Sequence, residues 1–179
     1  INGQWKNTAI STPVIDPANG ESIAEVCYAN PQTVDDAAQA AHTAFPEWAA
    51  LSSSERSNAL DKLADLIYQN LETLAQLESI DVGKPIENAR GFDIPFGAEC
   101  FKYYAQIGRN AVYNIPLELS DIDAHIHRAP YGVCGFIFPW NFPFTLLCWG
   151  IAPALAAGNT VVIKASEVTP LSSLFLATL

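Results

Sequence analysis

The sequence predicts an α/β fold in which a parallel βαβ unit carries an N-terminal hairpin and a helical extension. Three observations predict it. Two apolar runs of strand length, Gly132 to Phe138 and Thr160 to Lys164, flank a stretch of helical composition from Phe144 to Ala157. Leu60, Leu63, Ile67, Leu71 and Leu74 recur at steps of three and four, the period of a buried helix face. Asp16-Pro17-Ala18-Asn19-Gly20 is turn chemistry between two short β-prone runs, with Asn19 and Gly20 tolerant of positive φ.

The runs on either side of that turn, Ile10 to Ile15 and Glu21 to Tyr28, read as a hairpin. Thr33 is the expected N-cap of the first helix, with Asp35 and Asp36 in its first turn, where the helix dipole favours carboxylates. That helix is expected to end at Pro46, and Ser54 to cap the next. Gly83 and Pro85 stop the leucine-rich helix. Another runs from Glu87 to Ala111, interrupted or restarted near Pro95. Ala124 to Arg128 alternates as a strand. Gly158 ends the helix that starts at Phe144, as a glycine just past a C-terminus does. Pro170 is expected at a first helical position after the loop Ala165 to Thr169. Strand, loop, helix, strand implies parallel strands with a right-handed crossover. Ligands of such sheets bind at loops leaving the carboxyl ends of the strands. Here those loops are Phe138 to Pro143 and Lys164 to Pro170.

Composition narrows the function classes. Nine Lys+Arg against 19 Asp+Glu give 179 residues a formal charge of −10. No basic footprint exists for nucleic acid or for an anionic membrane surface. The longest apolar stretch is broken by Pro143, Gly150 and Pro153 and is too short to span a bilayer. Asp16 and Glu21 interrupt the start before a signal-peptide core forms. Cys27, Cys100, Cys134 and Cys148 are scattered, without zinc-ligand or disulfide-scaffold spacing, so they are read as packing residues in a cytoplasmic, reducing compartment. His125 and His127 share one strand face without a third ligand. The chain starts at Ile1 without a Met and stops at Leu179 inside an apolar helix, and a piece of a longer protein is expected.

Phe138-Pro139-Trp140-Asn141-Phe142-Pro143, the helix run Ala152 to Asn159 and the loop Lys164 to Pro170 stand in an order and spacing that resemble the aldehyde dehydrogenase superfamily, betaine-aldehyde-dehydrogenase-like members included. Tyr103-Tyr104-Ala105 and Ile1-Asn2-Gly3-Gln4-Trp5 extend the resemblance over essentially the whole chain. It implies the N-terminal part of that fold, with three segments: the hairpin and helical part of the cofactor domain over 1–112, an oligomerisation arm over 113–131, and the first Rossmann-like βαβ over 132–179.

The resemblance also implies roles. The amide of Asn141 helps hold an oxyanion; on the residues alone, Asn141 is equally a loop Asn capping the next helix. Lys164 and Glu167 reach the hydroxyls of the adenosine ribose, with a surface ion pair as the alternative. A carboxylate there repels a 2′-phosphate and favours NAD over NADP. Phe138, Pro139, Trp140 and Ser166 line the same cofactor pocket. Asp93 with the carbonyls of Ile15 and Val168 is a candidate site for potassium or sodium, against a solvated Asp at a helix start. Trp149 and Phe144 are candidates for substrate access. Partners implied are a small aldehyde and further copies of the chain, as a homodimer or homotetramer.

Two positions depart from the family pattern. Gly150 stands where many members carry Lys, and Ala165 where Pro is common. The family's nucleophilic Cys, general-base Glu and glycine-rich turn come later in its chain order than these residues reach. The reading is therefore the N-terminal part of an NAD(P)-dependent aldehyde dehydrogenase, inactive by itself. The alternatives are a non-catalytic NAD-binding or oligomerising module and an acyl-CoA-forming relative.

Overall fold

The structure is a computed structural model that describes all residues, Ile1–Leu179. β1 (Ser11–Ile15) and β2 (Ser22–Cys27) pair antiparallel. Their turn closes as its residues dictate. Asp16 accepts from the Ala18 amide and Asn19 from the Glu21 amide, each at 2.8 Å, and Gly20 sits at φ 78°.

Helix α1 (Pro31–Ala50) begins earlier than expected. Asn30, not Thr33, is its N-cap, accepting from the Thr33 amide at 2.8 Å. Pro31 suits the first position because it has no N–H to satisfy. The helix also passes through Pro46 instead of ending there. Tertiary bonds hold it on both sides of the proline. Thr160 donates to the Ala41 carbonyl at 2.9 Å and Trp48 Nε1 to the Leu155 carbonyl at 3.1 Å.

Helix α2 (Ser53–Gln69) is capped by Ser52 rather than Ser54, in a reciprocal box with Glu55. Asn70 divides the leucine-rich run, so Leu60 and Ile67 lie on α2 and Leu74 on α3 (Leu71–Val82), all buried. Gly83 ends α3 at φ 77°, packed so tightly that a Cβ there would lie 2.5 Å from Pro17.

The next helical stretch is continuous through Pro95. α4 (Ile86–Asn88) leads into a π-helical turn, Ala89–Asp93, and then α5 (Ile94–Arg109). The wider turn absorbs a proline that cannot donate to the preceding ladder. β3 (Asn114–Leu119) and β4 (Ile122–His127) form a second antiparallel hairpin, so the expected strand acquires a partner the sequence reading lacked. Ile115, Leu117, Leu119, Ile122, Ala124 and Ile126 share one face of it.

β5 (Val133–Ile137) and β6 (Thr160–Lys164) pair parallel across α6 (Pro143–Ala156). Gly158 follows α6 at φ 91°, as its position required. Pro170 caps α7 (Leu171–Leu176) instead of opening its first turn. One core joins α2, α3, α5, α6 and α7, with Phe101, Phe144, Ile67 and Leu147 among its largest buried side chains. No helix is long and apolar enough to cross a membrane.

α5 and α6 meet at Gly97. A Cβ there would stand 2.5 Å from a ring carbon of Phe144 and 2.9 Å from the Cys148 sulfur. Gly97→Ala is expected to destabilise the chain by about 1–3 kcal/mol, the usual cost of overpacking a close-packed core. Gly91→Ala, with nothing within 4 Å, serves as the control, and the urea midpoint separates the two.

Candidate functional site

The carboxyl ends of β5 and β6 bring the two unusual loops together. The Phe138 amide donates to the Lys164 carbonyl at 3.0 Å, carrying the parallel pairing one residue past β5. Thr169 Oγ1 then donates to the Trp140 carbonyl at 3.2 Å and ties one loop to the other. Trp140 is 61% exposed, so it is not a core aromatic.

Asn141 is exposed on the first of these loops, and its amide makes no hydrogen bond within the chain. The helix-capping role is not taken up: the N-cap of α6 is Phe142, with no side-chain cap. A neutral donor is thus held next to a helix start with its N–H groups uncommitted.

Lys164 and Glu167 bond to each other on the β6 loop, and both are well exposed. The ammonium holds the Glu167 carboxyl below the usual carboxylate range. Ser166 is buried, and its hydroxyl lies 3.4 Å from the Val168 amide. Phe138 stacks parallel on Phe136 with centroids 5.5 Å apart, and its ring stands over Gly150, where a Cβ would lie 2.8 Å away. The position that carries Lys in many family members is therefore filled from outside by an aromatic ring.

An open apolar groove of about 330 Å³ runs along Phe138, Pro139, Leu146, Trp149 and Gly150. Trp149 is 54% exposed and meets Phe96 edge-on, and Phe96 in turn lies against Phe92. Phe144 is fully buried. It cannot serve substrate access; it packs on Gly97 instead.

Asp93 is not a solvated helix-start residue but a buried, protein-bonded acid. It is 1% exposed. Lys84 Nζ donates to its Oδ2 at 2.8 Å and Thr145 Oγ1 to its Oδ1 at 3.2 Å, so each oxygen already accepts a protein bond. The acid with a free oxygen is Asp81, 2% exposed. Its Oδ2 accepts from the Leu171 amide at 2.7 Å, and its buried Oδ1 has no partner. Burial pushes its carboxyl up to about 7. Asp81 joins the segments that hold Ile15 and Val168, since neighbouring Gly83 touches Pro17 and its own partner Leu171 follows the Val168 loop. Sequence reading missed Asp81, yet a signal was present. Glu78 and Asp81 both lie toward the C-terminal end of α3, which has no basic residue in its last turn, where the helix dipole disfavours carboxylates.

The remaining candidates resolve plainly. Cys100 and Cys148 are buried, and burial pushes both thiols up. Cys27 and Cys134 are half-buried, and all four are free. His125 bonds Asp123 at 2.8 Å on the exposed hairpin. No group of three or more His, Cys, Asp or Glu is arranged to hold a metal ion.

Comparison with known proteins bears on this site. A family model described as the aldehyde dehydrogenase family matches residues 5–179. Human retinal dehydrogenase 2 is 42% identical over 185 residues, covering 100% of this chain and 36% of that protein. The crystal structure of PnpE in complex with nicotinamide adenine dinucleotide has a TM-score of 0.96 at 40% identity, covering 99% of this chain and 37% of that one. Betaine aldehyde dehydrogenase from Staphylococcus aureus, solved with NAD+, has a TM-score of 0.93 at 32% identity, over 98% of this chain and 36% of that one. The chain spans little more than a third of the length of these relatives.

Proposed function

The chain belongs to the aldehyde dehydrogenase family, and we propose that it supplies the oxyanion donor and the ribose-binding loop of an NAD-dependent enzyme that oxidises an aldehyde to a carboxylic acid. The observation that carries this reading is the uncommitted amide of Asn141, joined through Trp140 and Thr169 to the loop of Lys164 and Glu167.

NAD, when bound, supplies the hydride acceptor. The β6 loop fits its ribose. An exposed ammonium and an exposed carboxylate offer a donor and an acceptor to vicinal hydroxyls at the carboxyl end of a parallel strand. The Asn141 amide donates to a carbonyl oxygen under attack and stabilises its growing charge without reorganising. Trp149 and Leu146 offer apolar surface beside Phe138 and Pro139 at the start of the same loop. None of the four cysteines is exposed as a nucleophile must be, and burial raises the thiols of Cys100 and Cys148, so these residues by themselves are not expected to turn over. That observation keeps a non-catalytic NAD-binding module as the second reading.

Titration of the tryptophan fluorescence with each cofactor tests the proposal. NAD is expected to bind at least about tenfold more tightly than NADP, one close like-charge contact being worth 1.4 kcal/mol or more. Glu167→Gln is expected to narrow that ratio. Equal binding of both cofactors, or none, would refute it.

The same family reading extends to assembly and ions. The apolar face of the β3–β4 hairpin supports an arm that joins subunits into a dimer or tetramer. The orphan oxygen of Asp81 fits a potassium or sodium ion better than Asp93 does, because it is the buried carboxylate oxygen without a partner.

A further inference from the structure

A buried chain of polar groups runs from the helix after one loop to the helix after the other. Ser172, in the first turn of α7, donates to Glu78 Oε2 at 2.5 Å. Lys84 Nζ lies 3.4 Å from Glu78 Oε1 and 2.8 Å from Asp93 Oδ2. Asp93 Oδ1 accepts from Thr145, in the first turn of α6, at 3.2 Å. Lys84 Nζ also stands 4.6 Å over the ring centroid of Phe142, the residue next to Asn141.

We propose that Lys84 is a positioning residue that sets the oxyanion loop and the cofactor loop relative to one another through Ser172, Glu78, Asp93, Thr145 and Phe142. The inference rests on the reading of those loops given above. Stability alone is a poor reason for this arrangement. One ammonium and two carboxylates carry a desolvation cost that apolar side chains of the same volume avoid. What the ions offer instead is direction. Each arm ends on the first turn of the helix that follows a functional loop, and the ammonium caps the ring beside Asn141. No single helix contains the chain; α3, its following loop, the π-helical turn, α6 and α7 each contribute one member.

Lys84→Met would strand buried carboxylates and risks unfolding the protein, so the test uses the ends. Thr145→Val, Ser172→Ala and the double variant are made in the protein as its source produces it, with any sequence beyond Leu179. Four quantities are read: kcat, kcat/KM for NAD, the NAD dissociation constant, and the urea midpoint. Thr145→Val is expected to lower kcat about tenfold with NAD affinity within about twofold, and Thr145→Ser to recover it. Ser172→Ala is expected to weaken NAD binding about fivefold. Thr145 and Ser172 have no bond to each other, yet the double variant should lose about fivefold less in kcat/KM than the product of the singles, the signature of a shared partner. Single effects that multiply to within about twofold, or a Thr145→Ser variant no better than Val, overturn the proposal while leaving NAD binding intact. An unsubstituted protein that neither binds NAD nor oxidises an aldehyde overturns the functional reading and the positioning role with it, even where the urea midpoints remain coupled.

Discussion

Under the proposed function, replacing Asn141 by alanine in the protein as its source produces it is expected to lower kcat for aldehyde oxidation by ~10²–10³, the usual loss for one preorganised oxyanion donor, without lowering the urea midpoint. The pairing of the two outcomes is the point. The Asn141 amide has no hydrogen bond within the chain, and α6 starts at an N-cap of Phe142, so the side chain contributes nothing measurable to the fold. A capping Asn would behave oppositely, costing ~1 kcal/mol of stability on truncation and little rate. NAD affinity should stay within about twofold, because a donor aimed at the reacting oxygen acts in the transition state rather than on the cofactor. Asn141→Asp should be at least as damaging, since it presents an acceptor and a negative charge where charge develops. An alanine variant with unchanged kcat and a lowered midpoint would return Asn141 to an ordinary structural role.

The second large effect concerns Asp81 and is read in pH. Burial raises its folded-state carboxyl to about 7 from an unfolded value near 3.8, and the neighbouring charge of Glu78, itself pushed up by burial, adds in the same direction. A folded state that holds this proton more firmly than the unfolded state is most stable below the unfolded value. It loses stability as pH rises through the folded one. A shift of that size corresponds to about 4 kcal/mol as an order of magnitude. Glu55, Glu72 and Glu167 are lowered by their partners and act in the opposite sense. Their contributions are nearly complete by about pH 5, so the window from about pH 5 to 8 reads the two carboxyls that burial raises, Asp81 and Glu78. In choline buffer the urea midpoint should fall across that window, and Asp81→Asn should reduce the fall, leaving the part due to Glu78. If the proposed ion takes the place of the proton on the orphan oxygen, potassium at pH 8 should recover the midpoint of the unsubstituted chain only. Recovery of the Asn variant to the same extent would place the ion elsewhere.

The parts legible in the sequence were those set by local chemistry. Asp16 and Asn19 close their turn with their own side chains, Gly158 takes the conformation its position demands, and the alternation of apolar strands and helix yields the parallel pair. The misread features depend on groups distant in sequence. Pro46 stays helical because Trp48 reaches the Leu155 carbonyl and Thr160 reaches Ala41. Thr33 lost the cap to Asn30 because Asn-Pro is the better start. At the site, the motif loops were visible as residues. The commitment of Asp93 and the freedom of Asp81 were not, because both depend on which side chains α6 and α7 bring to the α3 region.

The ring of Phe138 over Gly150 constrains the order in which this site can change through descent. A Cβ at 150 would stand 2.8 Å from the far end of the Phe138 ring and 3.4 Å from Phe136, so a side chain there requires the Phe138 ring to swing aside. A larger residue introduced at 150 alone is therefore expected to displace the Phe138 ring, and a smaller residue at 138 removes that conflict. The glycine is historical evidence about its neighbour: the two sites are expected to vary together among descendants and to resist being exchanged singly.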